Sequence, residues 1–148
     1  MSTKIIDRFI GKNYFLDNFY PSNCIYDGER YATTEHAFQA AKSLDPRTRV
    51  LVALCNTPAE AKAFGRTIKP LREDWDQVKV SVMEEILRSK FTRHDDLRQK
   101  LLETGDAILI EDNNHRDRFW GQYKGEGKNM LGTLLMKLRE EFRNENIN

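Results

Sequence analysis

The segment Thr33-Thr34-Glu35-His36-Ala37-Phe38-Gln39-Ala40-Ala41-Lys42-Ser43-Leu44 decides the fold class. Ala37, Phe38, Ala40, Ala41 and Leu44 recur with the helical period, which predicts a helix from about Thr33 that stops at Asp45-Pro46. Glu35 falls in its first turn. Upstream the pattern is strand and loop. Ile5 to Ile10 is a short apolar run, and Cys24-Ile25-Tyr26 and Glu29-Arg30-Tyr31 flank Asp27-Gly28. That dipeptide signals a type I′ hairpin turn, which needs positive φ at both central residues. Downstream, helices dominate. Pro46 opens one carrying Val50, Leu51 and Leu54 as core candidates, and Thr57-Pro58-Ala59-Glu60 is a capping box that starts another, with Gly65 as its stop. Trp75, Val78, Val82, Ile86 and Leu87 mark a long amphipathic helix, and Leu97, Leu101 and Leu102 before Gly105 mark the next. Ala107 to Ile110 reads as a short buried strand, and a last helix from about Asn129 carries Leu131, Leu134, Leu135, Leu138 and Phe142. The expectation is one α+β domain over residues 1–148, predominantly helical with a few short strands.

Bulk properties narrow the function classes. Lys plus Arg at 24 against Asp plus Glu at 23 creates no global field towards nucleic acid or an anionic membrane, so phosphate recognition has to be local. Val50 to Cys55 is far too short an apolar run to span a bilayer, and no membrane association is expected. Two cysteines, Cys24 and Cys55, make no disulfide framework, and no basic-then-apolar leader opens the chain, so reduced thiols and a cytoplasmic location are expected. With only His36, His94 and His115, and the cysteines far apart in sequence, no metal-ligand spacing appears; we expect no metal and no cofactor.

Three constellations carry polar chemistry. Glu35, Gln39 and Lys42, spaced by four and three, share one helical face, where a solvated surface is the default reading and a carboxylate-amide-ammonium site the alternative. His36 lies off that face and reads as a packed or surface group. The loop Asp112 to Gly121 crowds carboxylates, amides, Phe119 and Trp120; the indole either plugs the loop into the core or offers a face to a nucleobase. Gly125-Glu126-Gly127-Lys128-Asn129 leads into the last helix and could cradle an anion, but it lacks the full dinucleotide and P-loop patterns. Arg66, Lys69 and Arg72 form a local positive cluster, either solvated or phosphate-binding. These residues alone name no reaction.

Taken in order, Asn18-Phe19, Thr34-Glu35-His36 with Phe38-Gln39 and Lys42, Gly65-Arg66 with Lys69-Pro70-Leu71-Arg72 and Trp75, and Phe119-Trp120-Gly121 with Gly127-Lys128-Asn129 and Leu131-Gly132 resemble the NADAR (YbiA-like) family. The resemblance runs from about residue 15 to the C-terminus. It implies a helix-rich fold and an N-glycosidase activity, on ribosylaminouracil phosphates of the riboflavin pathway or on ADP-ribose attached to guanine. The partner is then a small phosphorylated ribosyl substrate, or ADP-ribosylated nucleic acid. Motif position places Glu35, Trp75, Asp117 and Trp120 in the family's active-site region and Lys42 and Lys69 near phosphate or sugar; Asn18, Phe19, Gln39, Arg66, Gly121, Lys128 and Asn129 complete the expected substrate-binding set. Asp17 stands where a small hydroxyl residue is expected, and Phe119 where tyrosine is commoner.

Breaking a ribosyl C–N bond builds positive charge on the sugar, so an ionised carboxylate near C1 stabilises the transition state; Glu35 is the first choice and Asp117 the second carboxyl. In a second route Lys42 captures the opened sugar aldehyde as a Schiff base. A non-catalytic reader of ADP-ribose would need the aromatic and basic residues but neither Glu35 nor Asp117.

Overall fold

The computed structural model describes residues 3–147, and the fold is α+β, mostly helical with four short strands among those residues. The chain forms two units: residues 18–93 form one, and the segments on either side of them form the other.

In the flanking unit, β1 (Ile5–Ile6) pairs in parallel with β4 (Ile108–Leu109) in the register Ile5 to Ile108 and Ile6 to Leu109. A 3₁₀ helix follows at Gly11–Leu16 and buries Phe15 and Leu16. The helices α5 (Asp95–Glu103) and α6 (Met130–Ile147) supply most of the core through Leu97, Leu101, Leu131, Leu135, Leu138 and Phe142. Both helices match the sequence periodicity. Gly105, one residue past the α5 cap, takes φ of 62°, the left-handed stop expected of a glycine there.

In the other unit, β2 (Cys24–Tyr26) and β3 (Glu29–Tyr31) form the hairpin, with φ of 51° at Asp27 and 80° at Gly28, as the turn type demands. Four helices follow: α1 (Thr34–Ala40), α2 (Pro46–Ala53), α3 (Pro58–Gly65) and α4 (Trp75–Arg93). Each of α2 and α3 opens on a proline after a capping side chain, Asp45 for Arg47 N and Thr57 for Glu60 N.

Two expectations need correction. The first helix ends at Ala40, short of Asp45-Pro46, because the chain tightens into three-residue turns: Lys42 N donates to Gln39 O and Ser43 N to Ala40 O, each at 3.2 Å. Lys42 therefore leaves the helix and sits in a turn. The second concerns α2, whose apolar residues Val50, Leu51 and Leu54 are exposed; only Val52 and Arg49 are buried. Arg49 anchors the helix in their place, with Nε donating to Ser43 O at 2.7 Å and Nη1 to Asp27 Oδ2 at 2.7 Å.

Candidate active site

Helix α1 packs against α2, α3, α4 and both hairpin strands, and all seven of its residues are buried. Polar groups in such a helix need partners within the protein. Thr34 Oγ1 donates to Asn18 Oδ1 at 2.8 Å, and Asn18 O accepts Glu35 N at 3.1 Å, so Asn18 ties the preceding loop to the start of α1. His36 Nε2 lies 3.0 Å from Cys55 O and Nδ1 lies 2.8 Å from Thr33 Oγ1. A carbonyl only accepts, so Nε2 carries a proton and donates it to Cys55 O. The ring is a packed, doubly bonded group.

Glu35 and Gln39 are 7% and 5% exposed, which overturns the solvated-face reading of this helix side. Gln39 Nε2 donates to Glu35 Oε1 at 2.9 Å. Lys42, half-buried in the turn after α1, lies in the electrostatic field of Glu35 and of two cations, Arg66 and Lys62. Burial lowers its proton affinity most, Glu35 works against that, and Arg66 and Lys62 add to the lowering. Lys62 and Arg66, four residues apart at the end of α3, thus act on the same point, and Lys62 Nζ lies 6.0 Å from the Phe19 ring centre. The sequence reading missed Lys62. Its four-residue spacing from Arg66 was the available signal.

The other two residues of the positive cluster, Arg72 and Lys69, line a cleft that Arg66 does not. Arg72 is bound by Asp74 through a bidentate pair, Nε to Oδ1 at 2.6 Å and Nη2 to Oδ2 at 3.1 Å, which holds its guanidinium pKa up and the Asp74 carboxyl pKa down. Lys69 lines a cleft of about 710 Å³ with Ser43, Thr48 and Thr67, a cleft lined by neither Glu35, Lys42 nor Arg66. Trp75 is 7% exposed at the start of α4 and packs on Phe38 with ring centres 5.1 Å apart. Of its two expected roles, this is the packing one.

The remaining candidates lie in the flanking unit. Asp117 Oδ1 accepts the backbone N–H groups of Phe119 at 3.0 Å and Trp120 at 2.9 Å, while Asn113 Oδ1 accepts Asp117 N at 3.0 Å. The loop is thus folded on its own side chains, and Trp120 stays half-exposed, edge-on to Phe119 with ring centres 4.9 Å apart. Lys128 Nζ stands 5.5 Å over the Phe119 ring. Asn129, buried with φ of 51°, staples the end of β4 to the start of α6: Nδ2 donates to Leu109 O at 2.8 Å and Oδ1 accepts Glu111 N at 2.9 Å. Gly121 is buried so close to Glu111 that a Cβ would overlap it, so it too serves close packing.

Among the described residues no cluster of three or more His, Cys, Asp or Glu side chains is placed to hold a metal ion, and no helix is long and apolar enough to cross a membrane. Both cysteines are free thiols.

Comparison with known proteins puts this arrangement in context. The NADAR domain model matches residues 8–143, spanning both units. N-glycosidase YbiA of Escherichia coli (strain K12) is 45% identical over 118 residues, 78% of this chain and 73% of that protein. A riboflavin biosynthesis protein of Vibrio vulnificus (strain YJ016) is 39% identical over 130 residues, 86% of this chain and 35% of that longer protein. The NMR structure of Escherichia coli YbiA superposes with a TM-score of 0.90 at 39% identity, covering 100% of this chain and 90% of that one. By the extent of the match and the identity to its N-glycosidase relatives, this chain belongs to the NADAR domain family.

Proposed function

We propose that this chain, a hydrolase acting on N-glycosyl bonds, cleaves the bond between ribose C1 and nitrogen in a phosphorylated, nucleotide-like substrate, with Glu35 as the carboxylate that meets the charge developing on the sugar. The observation that carries this reading is a buried carboxylate held by an amide, in the field of a desolvated lysine on which two further cations act. As the sugar becomes oxocarbenium-like, a preoriented carboxylate in a dry setting stabilises it more than it stabilises the neutral ground state. Lys62 and Arg66 supply the charge for phosphate. The names of the relatives, N-glycosidase and riboflavin biosynthesis protein, support ribosylaminouracil phosphates as substrate, and ADP-ribosyl guanine is the second candidate.

For Asp117 and Trp120 the proposal follows their motif positions: a second carboxyl that exchanges a proton, and a face that stacks on the base. With Oδ1 committed to two backbone amides, Oδ2 is the Asp117 oxygen left for proton exchange. Lys128 and Lys69 are proposed for phosphate and Phe19 for the sugar or base. Asn18, Trp75, Gly121 and Asn129, bound up in loop and helix contacts, are proposed to act by shaping their surroundings. A second route is favoured by one observation, the lowered proton affinity of Lys42: a neutral amine can add to C1 of the ring-opened sugar while C1 is still joined to nitrogen as an iminium, expel that nitrogen as the protonated leaving amine, and leave a Schiff base that water hydrolyses to free the lysine and the sugar.

Product-resolved mass spectrometry of wild type and Glu35→Gln against ribosylaminouracil phosphate and an oligonucleotide bearing ADP-ribosyl guanine tests the reading. Release of the base from one substrate, lost in the variant, is expected; two substrates that bind and stay intact with wild type would overturn both substrate assignments.

A further inference from the structure

We propose that Gly65 and Gln39 are positioning residues for Glu35: the missing side chain of Gly65 leaves the space in which the Gln39 amide lies while it holds the carboxylate. The inference rests on Glu35 being the carboxylate of the reaction.

Gly65 is the last residue of α3, is buried, and does not adopt a left-handed backbone. Nothing in its backbone requires glycine, and alanine in a helix is favoured over glycine by about 1 kcal/mol. The requirement comes from across the α1–α3 contact. A Cβ at residue 65 would overlap Gln39 Oε1, stand 2.6 Å from Gln39 Cδ and 3.2 Å from Gln39 Cβ. Gln39 Cβ is fixed by α1, so the part that has to move is the amide.

That amide has one use. Its Nε2 donates to Glu35 Oε1 at 2.9 Å, and its Oε1 is buried with no hydrogen-bond partner among the described residues. Turning the amide over would aim its oxygen at the carboxylate, so the donor belongs towards Glu35. A buried acceptor left unpaired is a standing cost. The amide tolerates it because packing on Gly65 and the bond to Glu35 together dictate its place. With its amide placed between Glu35 and Gly65, Gln39 serves here to hold the carboxylate, a positioning role beside the substrate-binding one its motif position suggested.

Steady-state kinetics of wild type, Gln39→Ala, Gly65→Ala and the double variant, on whichever of ribosylaminouracil phosphate or the ADP-ribosyl-guanine oligonucleotide wild type cleaves, test this. Loss of a hydrogen bond to a charged group predicts a fall in kcat of about tenfold or more for each single variant, with KM nearly unchanged. The double variant should be no slower than Gln39→Ala, because removing the amide vacates the space the new methyl needs. Should Gly65→Ala fail to fold, the same double variant still reads the coupling, by regaining the fold at the Gln39→Ala rate. Multiplying losses in the double variant would overturn the proposal, as would a Gln39→Ala change confined to KM. Glu35→Gln is measured alongside. A wild-type rate there removes the functional reading and this inference together, whereas a strong loss there with independent effects at residues 39 and 65 removes this inference alone.

Discussion

Lys42 and Glu35 are electrostatic partners whose attraction is outweighed by burial: the carboxylate raises the proton affinity of the ammonium, and desolvation with Arg66 and Lys62 lowers it further. The folded chain therefore releases this proton at a lower pH than the unfolded chain, where the group titrates near 10.5. Between the two values the unfolded state holds more protons, so stability rises with pH; the penalty is full below the folded value and gone above 10.5. The melting temperature of wild type, relative to Lys42→Met, should climb from pH 7 towards pH 10. A pH-independent difference would mean that the amine titrates alike in both states.

Glu35→Gln keeps the size of the side chain and removes its charge. Turnover should fall by about a hundredfold or more, with ligand binding and melting temperature little changed. Equal rates for the two proteins would take Glu35 out of the chemistry.

Lys62→Met removes a cation from the field around Lys42 while retaining the apolar stem over Phe19. A lost charge-assisted contact to phosphate predicts a KM about tenfold higher with kcat nearly unchanged. A fall in kcat at constant KM would place Lys62 with the reacting atoms.

Asn129→Ala deletes both bonds of the staple between β4 and α6 and leaves Glu111 N and Leu109 O short of a partner. A loss of roughly 2–3 kcal/mol in denaturant unfolding is expected, together with the strain of alanine at positive φ. If stability holds and KM rises, the amide binds substrate.

Local chemistry made much of this molecule legible. Asp27-Gly28 announced its turn because few residues accept positive φ twice, and Pro46, Pro58 and Gly105 announced helix ends for equally local reasons. Periodicity located α4, α5 and α6 closely. What it could not foresee was decided by tertiary context. The polar face of α1 reads as solvated until three other helices and the hairpin close over it. The apolar face of α2 reads as core until Arg49 takes the anchoring role through Asp27, twenty-two residues away. The family motifs singled out Glu35 and Lys42, but the bond of the Gln39 amide to Glu35 against Gly65 and the pairing of Arg72 with Asp74 required coordinates.

The parallel pairing of β1 with β4 ties residues near position 5 to residues near position 108, with the whole of the other unit intervening. During synthesis the hairpin and α1 to α4 emerge from the ribosome before β4, the partner of β1. Closing a loop of that length costs more entropy than any local contact, so β1 joins late, and the unit that holds Glu35 has the earlier opportunity to fold. Nascent chains stalled with residues up to Arg93 just clear of the ribosome should already protect the amides of α1, while those of β1 stay open to exchange until β4 emerges.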